Sequence, residues 1–231
     1  MAFMCTLFAT LATARWTPPR YNSTVWMAFR AKVLTSPYPT PTSDPYANAS
    51  FHPSASLNGT VCAVKYENET ARLRYTLITF ASEDAAATSG AHITHRGACG
   101  LCSTLHDLSI YMEHFNLTAP VRSCGLKHPL SAAKNLKCLL DLGFTNACAA
   151  IWFDNEKNTK KNCFVDCIVD LNKPYNGPPP ARVLNSCLQC DEDKSGPVFK
   201  AVARRTRRSS GLSSAIYRPP STIFECDHYY Y

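Results

Sequence analysis

The clearest hydrophobic pattern lies between residues 60 and 96. Val61, Ala63 and Lys65-Tyr66 lead into the polar turn Glu67-Asn68-Glu69, after which Leu73, Tyr75, Leu77 and Thr79 alternate with Arg74, Thr76 and Ile78. A period of two on either side of a turn predicts a β-hairpin. Ser82 is then a suitable N-cap, Glu83 and Asp84 put negative charge in a first turn, and Gly90 can end a helix, so a short helix is expected over 82–90. The run 91–95 follows as a strand, giving a βαβ unit or a hairpin-plus-helix module.

Beyond Gly97 the period changes to that of helices. Leu105, Leu108, Tyr111, Met112 and Phe115 recur at helical spacing after the capping candidate Ser103, and Leu136, Leu139, Leu140 and Leu142 do so before Gly143. A third helix is expected from Thr145, carrying Ile151 and Trp152, and a fourth over 161–171 with Cys163 and Cys167 on one face. The Pro-rich run 176–180 reads as a stop and linker, and Ser195-Gly196-Pro197 opens a last helix through Val198, Phe199 and Val202. By contrast 15–59 is broken by Thr17-Pro18-Pro19, a proline cluster over 36–41 and Asp44-Pro45, so irregular extended chain with one short element around 25–33 is predicted. The fold class expected is α+β: a small βαβ or hairpin-plus-helix module at 60–96 followed by a disulfide-linked, mainly helical domain at 97–231.

Length and composition bound this picture without changing it. The chain has 231 residues, 45% hydrophobic and 18% charged, a globular composition that suits one or two domains. The apolar run 2–14 is shorter than the roughly 20 residues that cross a bilayer, so no membrane span is expected. It ends in Ala12-Thr13-Ala14, a small-x-small pattern that marks 1–14 as a candidate signal peptide, although it lacks a charged start. The net charge of +7 comes largely from Lys200, Arg204, Arg205, Arg207, Arg208 and Arg218, a stretch with no acid in it. Basic residues confined to one stretch, without interleaved aromatics, do not make a nucleic-acid footprint.

Two further signals point to an oxidising compartment, secreted or endomembrane lumen. Asn22, Asn48, Asn58, Asn68 and Asn116 each head an Asn-x-Ser/Thr sequon, the acceptor of N-glycosylation. If Cys5 leaves with the signal, the disulfide candidates are Cys62, Cys99, Cys102, Cys124, Cys138, Cys148, Cys163, Cys167, Cys187, Cys190 and Cys226, an odd set whose connectivity the sequence leaves open.

Candidate chemistry gathers in four places. Cys99-Gly100-Leu101-Cys102, after a predicted strand and before a predicted helix, could be a redox pair, because a helix N-terminus stabilises a thiolate. Structural disulfides are the competing and favoured reading. The same residues could place Cys102 as a hydrolase nucleophile with His228 as base, although Ser103 and Arg96 stand where an aromatic and a glutamine would serve a papain-like site. His92 and His95 with the two cysteines could supply zinc ligands, but histidines three apart on a strand face opposite ways, and no metal or cofactor is assigned. Asp191-Glu192-Asp193 could hold a cation or neutralise the arginines downstream. Arg204, Arg205, Arg207 and Arg208 form an anion-binding candidate and match a processing site, unless packed on that acidic cluster.

Taken together, Gly97-Ala98-Cys99-Gly100-Leu101-Cys102-Ser103, Cys187-Leu188-Gln189-Cys190-Asp191-Glu192-Asp193, Gly196-Pro197-x-Phe199 and Arg205-Thr206-Arg207-Arg208-x-Ser210-Gly211-Leu212 resemble a group of cysteine-rich secreted proteins of microbial eukaryotes with no established activity. The resemblance spans about residues 75–219 and implies no catalytic residue. The expectation is a disulfide-stabilised glycoprotein acting as a binding or structural module, with a glycan or an extracellular protein as the partner considered. A thiol–disulfide oxidoreductase is the alternative.

Overall fold

The computed structural model describes residues 16–47 and 59–228. The signal segment 1–14, Cys5, Asn48 and Asn58 lie outside the described residues. Among the described residues eight α-helices and a four-stranded sheet are arranged with the strands in the N-terminal half and the helices mostly after them, an α+β fold.

The Pro-rich start contributes more than one element. Helix α1 (Ser23–Arg30) is capped by Asn22, whose side chain accepts from the Val25 N–H, and it buries Phe29 in the main core. Strand β1 (Val33–Leu34) then pairs parallel with β3 (Arg74–Phe80) at the sheet edge. Two residues of strand carry too little alternation to be legible, and only the neighbouring strand makes the pairing.

The hairpin forms as the alternation predicts. Strand β2 (Val61–Tyr66) pairs antiparallel with β3 from Val61 opposite Phe80 to Tyr66 opposite Tyr75. Helix α2 (Glu83–Thr88) follows, with the Ser82 hydroxyl accepting from Ala85 N, and Gly90 takes the left-handed turn at φ +68°. Strand β4 (His92–Arg96) returns on the other side of β2, antiparallel to it. The sheet order is β1-β3-β2-β4, so β3, α2 and β4 form a βαβ unit with β2 inserted between its parallel strands. Central strand β2 is covered on both faces. Val64 and Tyr66 join the main core, whereas Val61 and Ala63 face a small cluster with Ala86, Ala91, Phe224 and Cys226.

Helix α3 (Leu105–Glu113) begins one residue later than expected, because Thr104 and not Ser103 caps it, accepting from Asp107 N. The Ser103 hydroxyl is engaged elsewhere, with His95 Nε2 at 2.7 Å and the Gly100 N–H at 2.8 Å. Helix α4 (Thr118–Lys127) has no strong apolar period and was not predicted. Helix α5 (Ala132–Asp141) follows its Ser131 cap. The two helices expected from Thr145 and over 161–171 run on from one another as α6 (Asn146–Val169), two helical stretches that meet at a kink where the Cys163 backbone is non-helical. Helices α7 (Ser186–Lys194) and α8 (Gly196–Ala203) complete the array. The main core joins both halves of the chain, with Phe29 and Tyr75 in the same cluster as Leu105, Leu139, Ile151 and Phe199.

Candidate functional site

Ten of the predicted cysteines pair, and the pairing removes the candidate thiol chemistry. Cys62 bonds Cys99, Cys102 bonds Cys148, Cys124 bonds Cys138, Cys163 bonds Cys190 and Cys167 bonds Cys187. Cys99 and Cys102 therefore belong to two different bridges, which corrects the redox-pair reading. The same bridge takes Cys102 out of consideration as a nucleophile, and it takes both sulfurs from the zinc set. The turn they frame serves α8. Leu101 N and Cys102 N donate to Val202 O at 3.2 Å and Ala203 O at 3.1 Å, satisfying carbonyls that a helix C-terminus leaves open. Gly100 is needed there, since a Cβ would lie 2.6 Å from Val202 O. The remaining thiol, Cys226, is buried, and burial pushes its pKa up to about 12, so it is not a nucleophile at neutral pH.

Arg205 is withdrawn from the anion-binding set for a similar reason. It is fully buried, and its five N–H groups reach Cys102 O, Thr94 O, Ser210 Oγ, Thr94 Oγ1 and Ser103 O at 2.7–3.0 Å. His95 and His228 flank this cage. Burial and then the Arg205 charge hold His95 well below its usual pKa. Burial likewise lowers His228 to about 3, against its hydrogen bond with Ser210 O. His92 leaves the strand towards Glu69, 3.1 Å away, so the two histidines do not converge. Among the described residues no group of three or more His, Cys, Asp or Glu could hold a metal ion.

The acidic cluster divides. Burial raises the Glu192 pKa, but Lys200 at 2.7 Å, Arg218 and Arg208 at 3.6 Å outweigh it and hold the carboxyl below its usual range. This is the neutralisation considered from the sequence. Asp191 is partly buried and accepts from Thr159 Oγ1 and Asn155 Nδ2, and desolvation raises its pKa. Asp193 accepts from Gln189 Nε2. Arg204 ends α8 with φ +64° and lies over Gly100.

A cleft of about 710 Å³ is walled by α4, α6, α7, α8 and the segment 206–223. Its lining is mostly apolar and includes Leu117, Val121, Phe164, Ile168, Leu188 and Leu212. Phe164 and Ile168 remain 56% and 50% exposed, so the cleft mouth is itself apolar. The Cys167–Cys187 bridge lines the cleft, and Cys163–Cys190 ties the same two helices one turn earlier on α6.

Two buried, unsatisfied donors are neighbours in this lining. Trp152 packs edge-on against Phe199 with ring centroids 4.8 Å apart and lies beside Tyr111 at 6.3 Å. Trp152 Nε1 and Tyr111 Oη are buried with no hydrogen-bond partner, and Tyr111 is only 2% exposed. Burial raises the Tyr111 pKa, and the Trp152 N–H opposes the shift without meeting the hydroxyl in hydrogen-bond geometry. The Arg207 guanidinium lies 5.9 Å from the Tyr111 ring centroid and donates only to backbone, at Ser213 O (2.9 Å) and His114 O. Burial lowers its pKa to about 10, which leaves it charged at neutral pH. One turn further along α6, Glu156 also lines the cleft: Oε1 accepts from Asn135 Nδ2 at 3.2 Å, Oε2 has no partner, and burial raises the pKa to about 7.

Tyr111 and Trp152 read in sequence as members of a helical core face, which they are. The missed signal is that each carries a polar tip that a core must satisfy. Of the glycosylation candidates described, Asn22 and Asn68 are exposed, while Asn116 is half-buried and accepts from Tyr175 Oη and Ala119 N.

Residues 132–226 match a family described as a family of unknown function (DUF8771). The match includes Trp152, Phe199 and Arg207 but stops short of Tyr111, and it overlaps the stretch that carries the sequence resemblance. No curated protein and no solved structure matches the chain.

Proposed function

We propose that the chain is a secreted or lumenal glycoprotein module that binds a small, elongated apolar molecule in the cleft between α4, α6, α7 and α8. The observation that carries this reading is the cleft itself. Its volume of about 710 Å³ lies in the range of small-molecule sites, and its apolar lining is left open to water at Phe164 and Ile168. Five disulfides support the compartment, and those between α6 and α7 support a preformed wall, which lowers the ordering cost of binding. No helix of the described residues is long and apolar enough to cross a membrane.

The uncharged fluorophore N-phenyl-1-naphthylamine tests the reading, since its emission rises on entering an apolar site. Saturable binding at one site per chain is expected, lost in Ile168→Lys, which puts a charge in the apolar lining. A folded protein that leaves the probe dark would return the chain to a purely structural role.

A further inference from the structure

We infer that the cleft recognises a single-chain amphiphile with an anionic head, a carboxylate or phosphate, seated between Tyr111, Trp152 and Arg207. The inference rests on the binding reading above and adds the class of ligand. The geometry behind it is a convergence of donors without an acceptor. A buried N–H or O–H that makes no hydrogen bond costs stability, and such groups are few in folded proteins. Here two of them, Trp152 Nε1 and Tyr111 Oη, belong to neighbouring rings that line one cavity, and neither has a partner. Arg207 lines the same cavity and makes no ion pair with any described residue.

The ligand's charge follows from what these groups offer. Trp152 is a donor only, Arg207 is a donor only, and the Tyr111 hydroxyl has a proton to give. An oxyanion accepts from all three and supplies the counter-charge that Arg207 lacks, and charge-assisted bonds of this kind are the stronger ones. A cationic head would meet Arg207 and be repelled. The carboxylate that acts on Tyr111, Asp107, is already held by Thr104 Oγ1, Thr145 N and Thr145 Oγ1, so it does not take the ligand's place. Glu156 lines the same cleft one turn along α6 from Trp152, where its Oε1 is held by Asn135 Nδ2 of α5, so the head is placed on the Tyr111 and Arg207 side of Trp152. The tail follows from the lining, since Leu117, Val121 and the half-exposed Phe164 and Ile168 line the same cleft as the donors.

Displacement of N-phenyl-1-naphthylamine from the full-length protein at pH 8 separates head from tail. Dodecanoate, dodecyl phosphate, 1-dodecanol and dodecyltrimethylammonium share one chain and differ only in head. The inference expects at least one of the two anions to compete at a concentration tenfold or more below the alcohol and the cation, and the order of the two anions identifies the head. Tyr111→Phe removes only the unpartnered hydroxyl. It should weaken the preferred anion about tenfold, the worth of one charge-assisted hydrogen bond, while leaving 1-dodecanol, the probe and the thermal midpoint unchanged or the midpoint slightly raised. Arg207→Met, with folding checked by its unfolding transition, should weaken the anion at least as much. If the probe binds but alcohol and anions compete equally, or if Tyr111→Phe leaves anion affinity unchanged, the head-group inference is overturned and the apolar cleft stands. If the probe does not bind, both fall.

Discussion

Arg205 and Arg207 are two residues apart, the first fully and the second partly buried, and they do opposite things. Every N–H of Arg205 is given to an acceptor supplied by the protein, from β4, the turn before α3 and the segment that follows α8. Arg207 reaches two backbone carbonyls and otherwise faces the cleft, beside a tyrosine and a tryptophan whose polar atoms are also unmet. Burial with complete satisfaction holds segments together. Burial with donors left over, at the edge of an open apolar cavity, costs stability, and this is the site of the anion proposed above.

The strongest test of this contrast is to remove the two guanidinium groups in turn. Arg205→Met leaves Thr94 O, Cys102 O and Ser103 O buried without their donor and should cost about 3–5 kcal/mol in urea unfolding. Arg207→Met should cost about 1 kcal/mol. Equal costs would break the distinction between cage and cleft.

Disulfide removal sharpens it next. Cys163→Ala with Cys190→Ala opens a bridge spanning 27 residues, and Cys102→Ala with Cys148→Ala one spanning 46. Chain-entropy arguments give about 3–4 kcal/mol for each. Only the first pair ties the helices of the cleft wall, so only it should also weaken probe binding, as read by fluorescence titration.

A smaller effect separates the regions by pH. The histidines of the cage are bases with lowered folded pKa values, so the unfolded chain takes protons first. Their contribution is full above about pH 6.5 and is lost as pH falls towards the folded value, about 3 for His228. Glu156 has the opposite sign: its folded pKa of about 7 lies above the unfolded value, so its ionised form works against the fold at alkaline pH. Glu156→Gln should therefore gain about 1–2 kcal/mol at pH 8, allowing for its partial exposure, and almost nothing at pH 5. The variant should also lose stability on acidification more steeply than the parent, because the opposing carboxylate is gone. Urea midpoints between pH 5 and 8 read both.

The smallest expected change lies away from both regions. Thr24→Ala destroys the Asn22 sequon while keeping the Asn22 cap on α1. In protein secreted from a eukaryotic host, the mass should fall by one glycan with the unfolding midpoint unaltered. An unchanged mass would count against glycosylation at that site.

Much of the local structure was legible because short-range rules decide it. The hairpin followed from strict alternation around Glu67-Asn68-Glu69, and α2 from Ser82, Glu83, Asp84 and Gly90. Helix α4 was not legible, since Pro120 and Gly125 dilute its apolar face and its start is satisfied by Asn116 Oδ1 reaching Ala119 N. The capping residue of α3 was displaced by one because Ser103 is claimed by His95, which is eight residues away in sequence. The cysteine pairing was beyond reach for the same reason: Cys99 and Cys102 are neighbours whose partners come from β2 and α6.

The sequence by itself determined the α+β order of elements, the disulfide-rich character and the presence of one basic stretch, since each depends on composition or on periodicity within a few residues. Tertiary structure alone decided which arginine of that stretch is a strut and which faces the cleft. Satisfaction of a guanidinium depends on acceptors that the fold brings from residues about a hundred positions away, and no local pattern encodes whether they arrive.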